Sequence, residues 1–281
     1  SVEAYSSWTT AASGYTMDAL GPDYLREGLY YRDSGEDPWK SEIPQTFTTL
    51  YVKTAGDNTV MTAEQMKAVA DAVKALAAPA TVDFSEVVYE SETFPNSFKS
   101  NANLAGIVFP QNVTKTASAA FQKTGMTSVT LLKGISYGSN AFDSCASLVS
   151  VTVEEGVTEI GNYMFQNTKL TDVTLPNSVT KIGASAFNGC SLTTINFGQG
   201  VKTIENSAFQ NCGELTEIIL PDATETLGQN AFGDCPKLAK ISLGKNMKTL
   251  EAYCFVGYSK GCPLLGDIIC RATTPPTLKD D

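Results

Sequence analysis

The sequence predicts an α/β-type repeat solenoid, built mostly of strands and loops, with one short parallel strand per coil and a helical cap near the N-terminus. The first observation behind this prediction is a phenylalanine that recurs every 21–23 residues. The second is an L-x-x-I-x-L pattern that follows each phenylalanine with the same period, as at Leu170, Val173 and Leu175. The recurring phenylalanines are Phe98, Phe121, Phe142, Phe165, Phe187, Phe209, Phe232 and Phe255. Two patterns that share one period indicate stacked repeats.

A single coil of this kind cannot hold its shape alone. It offers too few apolar side chains to offset the conformational entropy lost on ordering about 22 residues. Neighbouring coils must therefore supply further burial and backbone hydrogen bonds between parallel strands. The repeat thus requires stacking.

Each coil can be divided into three parts from its residue types. The I-x-L alternation predicts a short strand with its apolar side facing inward. Prolines that lack an N–H follow several strands and end them, and glycines after the inward Ile or Leu indicate tight bends. The prolines are Pro110, Pro176 and Pro221, and the glycines are Gly161, Gly183 and Gly228. The phenylalanine then fills the side of the coil opposite the strand.

Residues 46–97 are predicted to form an N-terminal cap of strand, helix and strand. The strands are Thr46–Lys53 and Thr81–Phe84. The helix is predicted over 62–78, because Thr62 and Gln65 form a capping box and an apolar stripe follows at helical spacing. Residues 98–281 are predicted to form the solenoid, with an incomplete last coil. Because Cys270–Leu278 begins a coil without reaching a phenylalanine, either the native chain continues or this half-coil is the cap.

Residues 1–45 do not repeat and are rich in aromatic residues. We expect an irregular segment that packs on the helix, since 45 residues are few for an independent domain. An alternative is an aromatic platform for a glycan, with Trp8 and Trp39 as its central residues.

Composition excludes several classes of function. The net charge of −10 and a pI near 4.6 argue against a nucleic acid or an anionic membrane surface as the partner. The chain contains no histidine, which removes Ser–His–Asp and Cys–His catalysis and the commonest metal ligand. No apolar run reaches the roughly 18 residues expected of a membrane-spanning helix. No phosphate loop or metal-binding spacing is present, so we expect neither cofactor nor metal.

Four cysteines stand three residues after a repeat phenylalanine: Cys145, Cys190, Cys212 and Cys235. Equivalent side chains on adjacent coils lie about 4.8 Å apart with parallel Cβ vectors. A disulfide requires Cβ atoms about 3.8 Å apart, so bridges between coils would be strained. We therefore expect buried free thiols that act as small apolar residues.

The outward strand positions are predicted to form a concave face that is small, Thr-rich and nearly free of aromatic residues. The predicted binding residues on it are Asp172, Thr174, Thr194, Asn196, Glu217, Lys240 and Asp267. Glu217, Lys240 and Asp267 fall on successive coils, where cross-strand ion pairing accounts for their alternating charge. Asp172 and Glu217 would be roughly 10 Å apart, marginally beyond the range of inverting glycosidases, and an open face offers nothing to desolvate a general acid.

The string "LTDVTLPNSVTKIGASAFNGC" (Leu170–Cys190) resembles the BspA-like leucine-rich repeats of bacterial surface antigens. The resemblance covers roughly Phe98–Leu278, and an insertion at Val256–Gly261 interrupts it. It implies a right-handed leucine-rich-repeat solenoid, export to the surface of a bacterium, and adhesion or protein binding. It leaves open a lipid anchor upstream of the chain.

The predicted function is a non-enzymatic cell-surface or secreted binding module with an extracellular protein or glycan as its partner. The alternative is a carbohydrate-binding or carbohydrate-active surface protein that uses the aromatic N-terminal segment. A third is a structural spacer. The sequence does not indicate an oligomeric state.

Overall fold

The structure is a computed structural model that describes residues 29–32, 48–54, 60–257 and 259–279. The chain divides into two compact units, Ser1–Met126 and Thr127–Asp281, and each sheet lies within one unit. The elements of the first unit are β1 Leu29–Arg32, β2 Thr49–Thr54, β3 Val60–Met61, α1 Ala63–Lys74, β4 Ala80–Asp83, β5 Val88–Tyr89, β6 Thr93–Phe94, β7 Leu104–Val108 and β8 Lys115–Thr116.

Parallel pairing dominates the first unit. Strands β2, β4 and β7 pair in parallel, as do β3 with β5 and β6 with β8. Stacking of coils therefore begins before Phe98, where the sequence placed the first repeat. The phenylalanine rings of this unit form a cluster of mixed geometry, in which Phe94 meets Phe109 edge to face with centroids 5.2 Å apart and lies 5.5 Å from Phe121 with ring planes 31° apart.

Residues 29–32, within the segment predicted to be irregular, form a short strand. Strand β1 pairs antiparallel with β2, with Leu29 opposite Thr54 and Arg32 opposite Tyr51. The run LYYR has the aromatic content that favours a strand, but four residues without alternation gave no periodic signal.

Helix α1 is shorter than predicted. Its N-terminal end agrees with the sequence, since Thr62 and Gln65 form the predicted capping box. The helix ends at Lys74 rather than at 78. The Asn103 side chain donates hydrogen bonds to the carbonyls of Lys74 and Leu76, 3.1 and 2.8 Å away. Pro79 also disfavours helical backbone at the residue before it.

The second unit contains two columns of short strands. The strands are β9 Ser128–Leu131, β10 Ser150–Val153, β11 Glu159–Ile160, β12 Asp172–Thr174, β13 Lys181–Ile182, β14 Thr194–Asn196, β15 Thr203–Ile204, β16 Glu217–Ile219, β17 Thr226–Leu227, β18 Lys240–Leu243, β19 Thr249–Leu250, β20 Asp267–Cys270 and β21 Thr277–Leu278. The first column forms three parallel sheets, β9–β10, β12–β14 and β16–β18–β20. The second column forms one six-stranded parallel sheet, β11–β13–β15–β17–β19–β21.

Equivalent residues of successive coils pair in register, for example Val173 with Ile195 and Ile218 with Ile241. This pairing confirms the predicted solenoid with one short strand of the first column per coil.

The repeat phenylalanines of the second unit form a stack inside the coils. Phe165, Phe187, Phe209 and Phe232 are fully buried. The Phe187 and Phe209 centroids lie 5.2 Å apart with ring planes 8° apart. Each ring fills the space between its neighbours, so the stack is continuous from Phe142 to Phe255.

The backbone around each phenylalanine carries a second hydrogen-bond ladder. The N–H of Phe187 donates to the carbonyl of Ala208, and the N–H groups two residues before and after it donate to Asn206 and Gln210. These flanking residues have positive φ, 53° at Ser185 and 72° at Gly189. The non-glycine residues with positive φ all lie two residues before or after a repeat phenylalanine, among the residues described: Ser100, Ala119, Lys123, Asn140, Ser144, Tyr163, Asn167, Ser185, Ser207, Asn211, Asn230, Asp234 and Tyr253.

Two of the three glycines after the inward Ile or Leu, Gly183 and Gly228, have a different role from the one predicted. Gly183 and Gly228 do not have positive φ. A Cβ on Gly183 would lie 2.5 Å from Asn162 Oδ1 and 2.8 Å from Asn162 N. These glycines are therefore required by the close approach of the preceding coil and not by a tight bend.

The cysteines after the repeat phenylalanines donate hydrogen bonds. Their thiols point at the carbonyl of the phenylalanine one coil earlier: Cys190 to Phe165 (3.1 Å), Cys212 to Phe187 (3.3 Å), Cys235 to Phe209 (3.3 Å) and Cys262 to Phe232 (3.2 Å). In the coil of Phe165 the same carbonyl also accepts from Thr168 Oγ1 at 2.8 Å. A thiol or hydroxyl at this position thus satisfies a buried carbonyl. Burial raises the pKa of Cys190 to about 11.

Candidate functional site

The predicted binding residues lie together on one surface of the second unit, which we call the strand face. It consists of the outward side chains of β9, β10, β12, β14, β16, β18 and β20. Alternation shows this most clearly on β12, where Val173 is buried while Asp172 and Thr174 on either side are exposed.

In-register pairing sets the neighbours of each residue on this face. Asp172 pairs with Thr194 and Thr174 with Asn196 across β12 and β14. Lys240 lies between Glu217 and Asp267 across β16, β18 and β20. All seven predicted binding residues therefore belong to a single column of strands, and all except the half-buried Lys240 are exposed.

The part of the strand face on β9, β10, β12 and β14 is rich in hydroxyl groups. The exposed hydroxyl side chains are Ser128, Thr130, Ser150, Thr152, Thr174 and Thr194. Asp172 is the charged residue within these strands, and its Oδ2 accepts a hydrogen bond from Thr171 Oγ1 at 3.1 Å. This area offers hydrogen-bonding groups at regular spacing.

The part on β16, β18 and β20 combines charge with apolar surface. Lys240 Nζ lies 2.8 Å from Glu217 Oε1. The hydrogen bond to Glu217 raises the pKa of Lys240, and the charges of Glu217 and Asp267 add to the shift. Two residues further along the same strands, Ile219 on β16 is 59% exposed and Ile269 on β20 is 45% exposed, with the buried Ser242 of β18 between them. Exposed apolar surface with polar residues at its rim is one mark of a contact surface for proteins.

A recess of about 370 Å³ adjoins this apolar area, and its lining includes Asn196, Gln199, Ile219, Asp222 and Arg271. Arg271 reaches back over two coils. Its Nε donates to the Leu243 carbonyl (3.1 Å) and its Nη2 donates to the Leu220 carbonyl (2.8 Å). The guanidinium also pairs with Asp222 at 3.3 Å. Sequence reasoning missed this residue, because its partners are 28 and 51 residues away in the chain and no local pattern indicates them.

The carboxylates of the face do not form a catalytic pair. Asp172 and Glu217 are on strands separated by β14, both are exposed, and Glu217 is paired with Lys240. A general acid needs an environment that raises its pKa, such as an apolar pocket. Neither side chain has one. The predicted glycan platform of Trp8 and Trp39 lies outside the described residues.

These features define a class of protein, the leucine-rich-repeat solenoids. The sequence matches the family described as "BspA type Leucine rich repeat region", in six copies, over residues 82–137 and 135–261. Because this match covers more than half of the chain, the protein belongs to the BspA-type leucine-rich-repeat family. The match begins earlier than the predicted Phe98, in agreement with the pairing of β4 with β7.

Solved structures with a similar arrangement include three bacterial proteins. The T. pallidum leucine-rich-repeat protein is 22% identical, with a TM-score of 0.39, over 67% of this chain and 73% of that chain. A leucine-rich cell surface protein of Faecalibacterium prausnitzii is 16% identical, with a TM-score of 0.34, over 94% and 96%. The pneumococcal vaccine antigen PcpA is 17% identical, with a TM-score of 0.33, over 70% and 69%. No curated protein sequence matches the chain significantly.

No helix in the described ranges combines the length and the apolar character needed to cross a lipid bilayer.

Proposed function

We propose that the chain is a non-enzymatic binding module, exported to the surface or surroundings of a bacterial cell, that holds an extracellular protein on its strand face. Export and adhesion are supported by the family, because its repeats are of the type found in bacterial surface antigens. The observation that carries the proposal is the strand face itself. It is exposed and built on in-register strands, and it joins hydroxyl groups, an ion pair and two exposed isoleucines on one side of the second unit.

The arrangement suits a protein partner better than a small molecule. A small ligand needs a concave site that buries most of its surface. The strand face instead extends over seven strands, and a protein partner can place many side chains along such a surface. The recess beside Ile219 would receive one side chain of the partner, with Arg271 as its cation.

The test uses purified chain, a panel of extracellular proteins and a glycan array. We expect at least one protein to bind. The double variant Thr174→Lys with Asn196→Lys should weaken that binding by roughly tenfold or more, because two lysines intrude on the centre of the face. The matched control is Thr180→Lys in the same coil. Thr180 is an exposed threonine next to β13, in the second column of strands.

Three outcomes would contradict the proposal. Equal loss of binding in the control would place the partner elsewhere on the chain. Binding of glycans alone, abolished by Trp8→Ala with Trp39→Ala at an unchanged melting temperature, would favour the carbohydrate alternative. Turnover of any bound glycan would overturn the non-enzymatic assignment.

A further inference from the structure

The last coil of the second unit exposes side chains that the preceding coil buries. Ile268 on β20 and Leu278 on β21 stand at inward positions, in register with Ile241 and Leu250 of the coil before. Ile241 and Leu250 are buried, whereas Ile268 is 52% exposed and Leu278 is 69% exposed. Ile268, Leu278 and the exposed Val256 border one largely apolar recess of about 330 Å³, and we call this surface the end face.

The end face also carries free strand edges. In the described part of the chain, β20 pairs only with β18, and β21 pairs only with β19. In an earlier coil the residue equivalent to Cys270 donates its N–H to the following coil, since Leu220 donates to Ser242 at 2.9 Å. Alternation gives Ile268 and Cys270 the same orientation, so their N–H and C=O groups point away from β18. Such an edge is a template for a further strand.

We propose that a second copy of this chain covers the end face, with the two β20 strands paired antiparallel about a two-fold axis at Ile269. A two-fold axis is the commonest symmetry of homodimers. In this register Ile268 lies opposite Cys270 of the second copy on each side of the axis. The free N–H and C=O groups of these residues then bond to each other, because residues of a hydrogen-bonded antiparallel pair exchange both bonds. The edge of β20 is thus complementary to itself.

The charges on β20 favour this occupant and this register. Residues that lie opposite each other on antiparallel strands face the same side of the sheet, so Asp267 of one copy lies opposite Arg271 of the other. The symmetry repeats this pair of opposite charges, and Ile269 meets its own equivalent between the two pairs. A register shifted along the strand would lose this charge matching.

Both charged groups are accessible within one copy. Lys240, the neighbour of Asp267 on β18, forms its ion pair with Glu217. Asp267 is exposed and forms no direct ion pair among the residues described. The side chain of Arg271 remains 37% exposed although its guanidinium pairs with Asp222. The second copy therefore offers Asp267 a cation.

The dimer has a consequence for the strand face. Antiparallel pairing continues the sheet β16–β18–β20 into its equivalent in the second copy, and it turns both strand faces to the same side. The end face and the strand face use different side chains of the inner and outer positions. Dimerisation can therefore be tested without a partner for the strand face, and failure of either proposal leaves the other standing.

The test is sedimentation velocity of the full chain over a range of protein concentrations, with a reductant present because Cys270 is exposed. We expect a reversible equilibrium between monomer and dimer. Ile268→Lys should raise the dissociation constant of the dimer by roughly tenfold or more, because a charge on a strand edge opposes pairing. The matched control is Val149→Lys. Val149 is 48% exposed next to β10, away from the end face, so the dissociation constant should not change.

Two charge variants test the register. Asp267→Arg places like charges opposite each other at both pairs, and so does Arg271→Asp, so each variant alone should dimerise weakly. An equimolar mixture of the two should form heterodimers, in which opposite charges face each other again at both pairs. Absence of this recovery in a mixture of two folded variants would overturn the register.

Two further results would overturn the proposal as a whole. The first is an unaltered chain that stays monomeric at every concentration, and this result does not depend on the folding of any variant. The second is a dimer that the folded Ile268→Lys variant leaves intact, which would place the contact elsewhere. Hydrogen exchange gives an independent measurement, since the amides of Ile268 and Cys270 should exchange more slowly as the dimer fraction rises.

Discussion

The rings of Phe209 and Phe232 lie parallel, with centroids 5.2 Å apart and planes 5° apart. On its other side Phe209 stacks on Phe187 at the same separation, and the edge of Phe197 meets it at 5.7 Å. Phe209 thus connects two neighbouring coils through direct ring contact. The interior of the second unit combines these ring contacts with the buried Leu, Ile and Val side chains of each coil.

Replacing Phe209 with Ala should lower the free energy of unfolding by about 3–5 kcal/mol, because the cavity lies between two rigid coils that cannot close over it. The measurement is urea unfolding monitored by circular dichroism. Phe255→Ala is the matched control. Phe255 is only partly buried and its centroid lies 6.5 Å from Phe232, so its loss should be clearly smaller. Equal losses would contradict a continuous stack.

Replacing Gly183 with Ala should destabilise the protein by about 1–3 kcal/mol, since the new Cβ would overlap Asn162 and force the preceding coil to move. Gly213→Ala provides the comparison. No heavy atom lies within 4 Å of a Cβ built at Gly213, and its φ is not positive. This substitution should be neutral or stabilise by up to about 1 kcal/mol. Thermal unfolding of both variants tests the difference, and similar midpoints would refute the close-approach explanation.

Replacing Asp234 with Ala should release the insertion loop. Its carboxylate accepts hydrogen bonds from the backbone N–H groups of Ser259, Lys260 and Gly261. Three successive N–H groups that point at one place form a binding site for an anion. We expect amide hydrogen exchange at these three residues to accelerate by roughly tenfold or more. Asn211→Ala changes the equivalent position one coil earlier and should leave these amides protected. Unchanged exchange in the Asp234 variant would show that the loop is held by other contacts.

Stability should fall on acidification partly through Asp222 and Glu225. Hydrogen bonds from Lys245 and Lys248 lower the pKa of Asp222 and of Glu225, respectively, below their ordinary values of 3.8 and 4.5. A carboxyl group whose pKa is lower in the folded state stabilises that state above its unfolded pKa. This contribution is lost as the pH falls through the folded pKa. Below about pH 4.5 the native protein should therefore lose stability more steeply than the variant Asp222→Asn with Glu225→Gln.

Both carboxylates are exposed at the surface, so salt should screen these interactions. Unfolding curves at low ionic strength and in about 1 M NaCl provide the control. The difference in pH dependence between native and variant protein should shrink at high salt. A difference that is independent of salt would mean that another group titrates in this range.

The parts of the fold that depend on local pattern were predictable. The period of the phenylalanines predicted their burial, because an apolar side chain at a fixed place in each repeat must face the shared interior. The capping box at Thr62 was also predictable from the sequence, because all its atoms lie within four consecutive residues. The alternation on β12 placed Asp172 and Thr174 on the exposed side without knowledge of the tertiary structure.

Other features had no signal in the local pattern. Arg271 finds its acceptors at Leu220 and Leu243, on two earlier coils, so only the stacking brings them together. Strand β1 forms because it pairs with β2, and its own sequence has no periodic pattern that would predict it. The hydrogen bonds that Asp234 accepts from Ser259 and Gly261 also join residues of different coils, so the local sequence pattern does not reveal them.

The sequence by itself determined that this protein is a stack of leucine-rich coils, because apolar side chains that recur at a fixed period are buried together only when successive coils stack on one another. It also determined which side chains face outward on each strand, since alternation is a property of the extended backbone. Only the tertiary structure decided which groups of different coils meet. Such contacts depend on the distance and orientation between coils, and these are set by backbone hydrogen bonds, positive-φ turns and glycine contacts that no single repeat encodes.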